Sequence, residues 1–243
     1  AVNISAPEKG ASAKNEPFLQ TVTSRLDYLR NNRLILTLIL FLAGINFVAS
    51  AFDAVLPALI LPRDNGGEAV LGMVSSCSGI ATLAGSLIAV LMPAPRSRIR
   101  VIYLTMLFSL GTEDFILAFS DSPVLWCLAQ MIGWLLVPIM NANLDVVLRS
   151  SIPVEMQGRV YSCRNTMQFF TIPIGLFTGG TMVDMVCEPL MASTPSDSMM
   201  VCLFGTGKGS GAALMMFFLG ITGVTVCLVF GQILRKYIDT DRS

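Results

Sequence analysis

Six long, predominantly apolar stretches alternate with shorter polar segments along this chain. A helix that crosses about 30 Å of hydrocarbon needs about 20 apolar residues. On that length the pattern predicts membrane spans over residues 34–61, 69–92, 101–119, 124–148, 160–183 and 211–234. The second and sixth lie within charge-free runs, whereas Glu113 and Asp114 interrupt the third. The expected fold class is therefore an all-α membrane protein of six transmembrane helices. Spans one to three and four to six run in opposite senses, which permits a 3+3 inverted repeat.

Ahead of the spans, residues 1–16 are polar and are expected to be disordered. Residues 17–33 read as an amphipathic helix: Phe18, Val22, Leu26 and Leu29 recur at helical spacing, with Arg25, Asp27 and Arg30 elsewhere. Such a helix is expected to lie along the cytoplasmic face of the membrane; the plain alternative is that it extends the first span. The organisation is thus a linker (1–33), a six-helix domain (34–234) and a short tail (235–243). The segment from 184 to 210 is the one long polar loop.

Composition agrees with this pattern. The chain is 53% hydrophobic and 13% charged, with a mean hydropathy of +0.69. A soluble domain carries about 25% charge. There are too few charges to coat a globule of this size, so lipid must cover much of the surface. The formal net charge of zero hides an asymmetry. Of the 16 Lys and Arg, all but Arg63 and Lys208 fall at the termini or in the second and fourth loops. They include Arg96, Arg98 and Arg100, then Arg149 and Arg159 with Arg164 just beyond. Positive charge stays cytoplasmic, so the chain is expected in the cell membrane with both termini in the cytoplasm. The bilayer, not nucleic acid, is the expected partner.

There is no histidine, no nucleophile–base set and no metal-ligand spacing, so an enzyme is not expected, nor a metal or cofactor. The six cysteines form no C-x-x-C pair; only Cys187 and Cys202 share an outer loop, where a disulfide is one option. The glycine run 205–211 contains Gly-Lys but lacks the first glycine and the hydroxyl residue of a phosphate-binding loop. It reads as a flexible lead into the last span. The opening 33 residues lack a signal-peptide core, and a start at Ala1 suggests processing or a piece of a longer chain.

Polar residues inside spans are costly in lipid and mark function. Asn46 and Asp53 lie seven apart on one face of the first span, with Pro57 beyond. The fourth span carries Gln130, Asn141, Asn143 and Asp145, with Pro138 as a breaker. These are the first helices of the two triplets, where interrupted helices point to a binding site. Asn46, Asp53, Gln130 and Asn141 are the predicted substrate cavity; the bland alternative is helix–helix hydrogen bonding. Asp53, Glu113 and Asp114 all fall in the outer half of their spans. A carboxyl group kept from water favours its neutral form, so these three are candidates for proton coupling. For Glu113 and Asp114 the alternative is a solvated, idle pair at the interface. Asp145 with Arg149, and Glu155 with Arg159, are acid-before-base pairs four apart. They are candidates for a cytoplasmic gate.

A family resemblance rests on Asn46 with Leu56-Pro57, on Pro138-x-x-Asn141, and on the block from Ile152-Pro153 through Glu155 and Gly158-Arg159 to Ser162. Pro173-x-Gly175, Gly180 with Asp184, the segment 188–191 and Gly205-x-Gly207-x-Gly209 add to it. Over most of residues 34–234 the chain resembles the C-terminal half of a major facilitator superfamily transporter, of the macrolide-efflux type. The resemblance implies twelve helices in the full protein, alternating access, and proton-driven export of a small hydrophobic compound. It also implies that Glu155 and Arg159 belong to the cytoplasmic gate. A transporter of this type needs a second wall: a missing N-terminal six-helix half, or a second copy. A non-transporting scaffold or partner subunit is the alternative reading.

Overall fold

The computed structural model describes residues 32–238, so the expected amphipathic helix falls almost wholly outside the described residues. The chain forms α1 (Arg33–Ile60), α2 (Glu68–Leu91), α3 (Arg98–Phe119), α4 (Pro123–Ser151) and α5 (Val154–Met182). A π-helical turn, Val183–Cys187, continues α5 into α6 (Glu188–Ser193). The short α7 (Met199–Phe204) and the long α8 (Ser210–Ile238) complete the described residues. Six helical stretches are long and apolar enough to cross a membrane: α1 to α4, α5 with its extension, and α8. The protein is therefore a multi-pass membrane protein.

The helix ends follow from local chemistry. Pro123 opens α4, where its missing N–H is no loss. The Ser97 hydroxyl caps α3 by accepting from the Arg100 N–H at 3.4 Å. Only Ile152 and Pro153 separate α4 from α5. Hydropathy places the fifth span from residue 160 because Glu155, Gln157 and Arg159 are polar. Between 154 and 159 only Gly158 weakens a helix, by about 1 kcal/mol, and there is no proline, so α5 begins as soon as Pro153 has passed. The expectation of interrupted helices does not hold: α1 and α4 run unbroken through Pro57 and Pro138, as α5 does through Pro173. Neighbouring helices and small local adjustments absorb such prolines in membrane helices.

Packing does not follow chain order. α2 packs on α4, α4 on α3, α3 on α8, α8 on α1, and α1 on α5; α1 and α2 scarcely meet. Glycines set the closest approaches. A Cβ at Gly85 of α2 would strike the Leu135 carbonyl of α4. A Cβ at Gly179 of α5 would lie 2.5 Å from the Ala51 carbonyl oxygen and 2.9 Å from the Ala51 Cα of α1. Small residues let backbones meet where no hydrophobic force drives helices together. Ile35, Phe41 and Val48 of α1, Ile102 and Met106 of α3, and Met216 of α8 fill the core. Leu83 and Val90 of α2 and Phe169 and Phe177 of α5 point outward.

The glycine run before α8 is anchored, not a free lead. Gly205, Gly207 and Gly209 adopt φ of +82°, +78° and +91°, a region glycine enters without steric cost. The Gly209 N–H donates to Glu188 Oε1 at 2.8 Å. Arg63, after α1, donates to the carbonyls of Phe204 and Gly209 at 3.0 and 3.4 Å and pairs with Asp121 at 2.7 Å. One arginine thus ties the α1–α2, α3–α4 and α7–α8 loops together. All six cysteines are free, Cys187 and Cys202 included.

Candidate substrate cavity

A cavity of about 300 Å³ opens between α1, α3, α4 and α5. Helical spacing supplies its walls. Asn46 and Asp53 come from one face of α1, Ser109 and Glu113 from one face of α3, Trp134 and Asn141 from one face of α4, and Gln168 from α5. Asn46 is 13 residues into α1, roughly 20 Å along a helix of roughly 42 Å, so the cavity sits near mid-depth.

Three carboxyl groups line it: Asp53, Glu113 and Asp114. Asp53 stands on its exposed side. Glu113 is 5% exposed and Asp114 fully buried, which removes the solvated-interface alternative for that pair. Glu113 Oε1 and both Asp114 carboxyl oxygens have no hydrogen-bond partner. The Trp134 side chain is placed to hydrogen-bond Glu113. α4 makes room for Glu113 at Gly133, where any Cβ would collide with the carboxyl. Ser109 Oγ donates to the Gly133 carbonyl at 2.9 Å and fixes α3 on α4 one turn from Glu113. Asp114 also packs against α8, where a Cβ at Gly220 would lie 3.1 Å from the Asp114 Cβ. Among the described residues no lysine or arginine lines the cavity.

The chain is similar to the multidrug efflux pump Tap of Mycolicibacterium fortuitum, with 26% identity over 147 residues. The likeness is to a transporter. It spans 59% of this chain and 36% of the pump, so the chain matches about a third of its relative. No family model matches the chain, and no solved structure matches it.

Most of the predicted site residues meet in this cavity. Asn46, Asp53, Asn141, Glu113 and Asp114 all line it; Gln130 does not. Gln130 is 1% exposed, with an unpartnered Nε2, one turn beyond Trp134 toward the α3–α4 loop. Asn46 donates to the Leu42 carbonyl of its own helix at 2.8 Å. Asn143 behaves as a packing residue, accepting from Arg98 at 3.2 Å and donating to the Ile139 carbonyl at 2.8 Å.

The gate residues are arranged differently from the sequence expectation. Asp145 pairs at 2.9 Å with Arg164 of α5, not with Arg149. Arg149 points from the last turn of α4 into the open, while Arg164 faces α4 across the short link. Glu155 is exposed, and the Arg159 side chain lies outside the described part.

Sequence reasoning missed Trp134, Ser109, Gln168 and Arg164. A heptad step from Asn141 finds Trp134, and Gln168 is polar inside a span. Arg164 was legible only as a topogenic charge. The seat of Ser109 on Gly133 had no sequence signal, because it depends on which helix α3 packs against.

Proposed function

We propose that the chain forms one six-helix half of a secondary active transporter of the major facilitator type. It exports a hydrophobic, drug-like compound by alternating access, driven by protons. The carrying observation is the mid-depth cavity between α1 and α4 with three carboxyl groups on its walls. A carboxyl group at that depth is expensive in lipid and is retained for transport or proton relay. The likeness to a multidrug efflux pump supports the same reading.

The 3+3 inverted repeat is part of the proposal. Exchanging α1 with α4, α2 with α5 and α3 with α8 turns the α2–α4 contact into α5–α1 and the α3–α4 contact into α8–α1. The α3–α8 contact maps onto itself. This supports two triplets built alike and running in opposite senses. A second six-helix half supplies the other wall. Residues 1–33 act as the linker to it, and both termini face the cytoplasm. Asp53 and Glu113 bind and release the coupling proton, and Asp145, Glu155 and Arg159 work at the cytoplasmic end.

Drug accumulation tests this in cells with and without the full-length gene. Deletion should raise accumulation of exported drugs, and a proton uncoupler should raise it to the same level in the parent. Glu113→Gln should abolish the difference. Accumulation that ignores both deletion and uncoupler would point to the scaffold reading.

A further inference from the structure

The cavity has an ion pair directly beneath it. Asn141 of α4 and Gln168 of α5 line the cavity. Asp145 is one turn further along α4, and Arg164 is one turn back along α5, so both lie about 6 Å nearer the α4–α5 link. Their side chains meet at 2.9 Å. Elsewhere α4 and α5 scarcely touch. At the link itself Gln157 of α5 donates to the Arg149 carbonyl of α4 at 3.3 Å; the Asp145–Arg164 pair is the bridge that lies nearer the cavity.

Among the described residues two arginines form ion pairs, and the two differ in strength. At the far end, the Arg63 side chain is 9% exposed and reaches three acceptors on two loops. Arg164 is 14% exposed but, among the described residues, makes a single ion-pair bond, through Nη1, to an Asp145 side chain that is 44% exposed. Its Nε is buried and has no partner. Its other neighbour is Tyr161, whose ring centroid lies 5.9 Å from the guanidinium, at the outer reach of a cation–π contact. A half-exposed pair with one bond is weak. Arg63 has the build of a rivet, Arg164 of a latch.

We propose that the Asp145–Arg164 pair closes the cavity at its α4–α5 end, and that Arg164, not Arg149, is the cation of that gate. Arg164 is a positioning residue: it touches Asp145 and Tyr161 and holds two cavity walls together. The proposal rests on the transport reading only for its purpose. The closure itself is a matter of access, and access is measured without substrate.

The test uses the full-length protein with the six cysteines of this chain, and any outside it, changed to serine, carrying Asn141→Cys as reporter. Inverted membrane vesicles are treated with a membrane-impermeant maleimide, and the rate of modification at position 141 is followed. Arg164→Ala and Asp145→Ala should each raise that rate about two- to fivefold, the range expected for losing a half-exposed ion pair. Arg164→Lys should stay near the parent, and the exchanged pair D145R/R164D should return toward it. Arg149→Ala should leave it unchanged. Flat rates across the Arg164 variants, or an equal rise with Arg149→Ala, would overturn the gate. Arg164→Lys behaving like Arg164→Ala would do the same, since a folded variant that keeps the charge must keep the latch. Drug accumulation in the same cells separates the two readings. Normal export with flat labelling removes the gate alone; the expected labelling without any export removes transport and leaves the gate.

Discussion

Asp114 offers the sharpest test of why this chain keeps carboxyl groups in its core. Its side chain is fully buried, and neither oxygen has a partner. An unpartnered buried polar group costs about 1–3 kcal/mol on the scale of protein substitutions. Asp114→Leu keeps the branch at Cγ and replaces two oxygens with two methyl groups. Each methyl is slightly larger, and the neighbouring α8 backbone is close: a Cβ at Gly220 would lie 3.1 Å from the Asp114 Cβ. Crowding of that kind returns about 1 kcal/mol of the gain. The net expectation is a protein no less stable than the parent, and more stable by up to about 2 kcal/mol. For a chain of this length that is a rise of up to roughly 8 °C in melting temperature. Thermal unfolding in detergent, followed by a thiol-reactive dye at the buried cysteines, reads the shift. Drug accumulation in the same strain should rise toward that of the deletion. Such a trade of function for stability is the signature of a residue kept for function. A lower melting temperature with normal export would refute the reasoning, because Asp114 would then be a structural residue with partners of its own.

The remaining expectations concern packing, the loop rivet and topology. Gly179→Ala should destabilise the protein by about 1–3 kcal/mol or more, since the new Cβ meets Ala51 backbone, which cannot rotate away; an unchanged melting temperature would remove the tight α1–α5 contact. Arg63→Ala should cost about 1–3 kcal/mol through its two carbonyl partners, while Asp121→Ala, at an exposed carboxylate, should cost less than about 1 kcal/mol. Equal losses in thermal melts would mean that the ion pair, not the carbonyls, does the holding. On intact cells an impermeant maleimide should reach the exposed Cys202 and miss a thiol introduced as Arg96→Cys; the reverse pattern would invert the orientation.

Hydropathy and charge spacing by themselves determined that this chain spans a membrane and roughly where. Those properties are local: twenty apolar residues in a row have no other place to go. The same holds for Asn46, Asp53 and Asn141, whose cost in lipid marks them singly, and for the heptad spacing that puts Asn46 and Asp53 on one face. Only the tertiary structure decided that α2 packs on α4 and α1 on α5, because that depends on which glycine meets which backbone. It decided that Glu113 and Asp114 are buried rather than solvated, since a residue near a helix end cannot tell whether another helix covers it. It sent Gln130 out of the cavity and brought Gln168 and Trp134 in. It also paired Asp145 with Arg164, 19 residues away, over Arg149 at the favourable spacing of four. A helix offers its own i+4 partner at little cost, but Arg149 points into the open at the end of α4, while α5 presents Arg164 at the depth of Asp145.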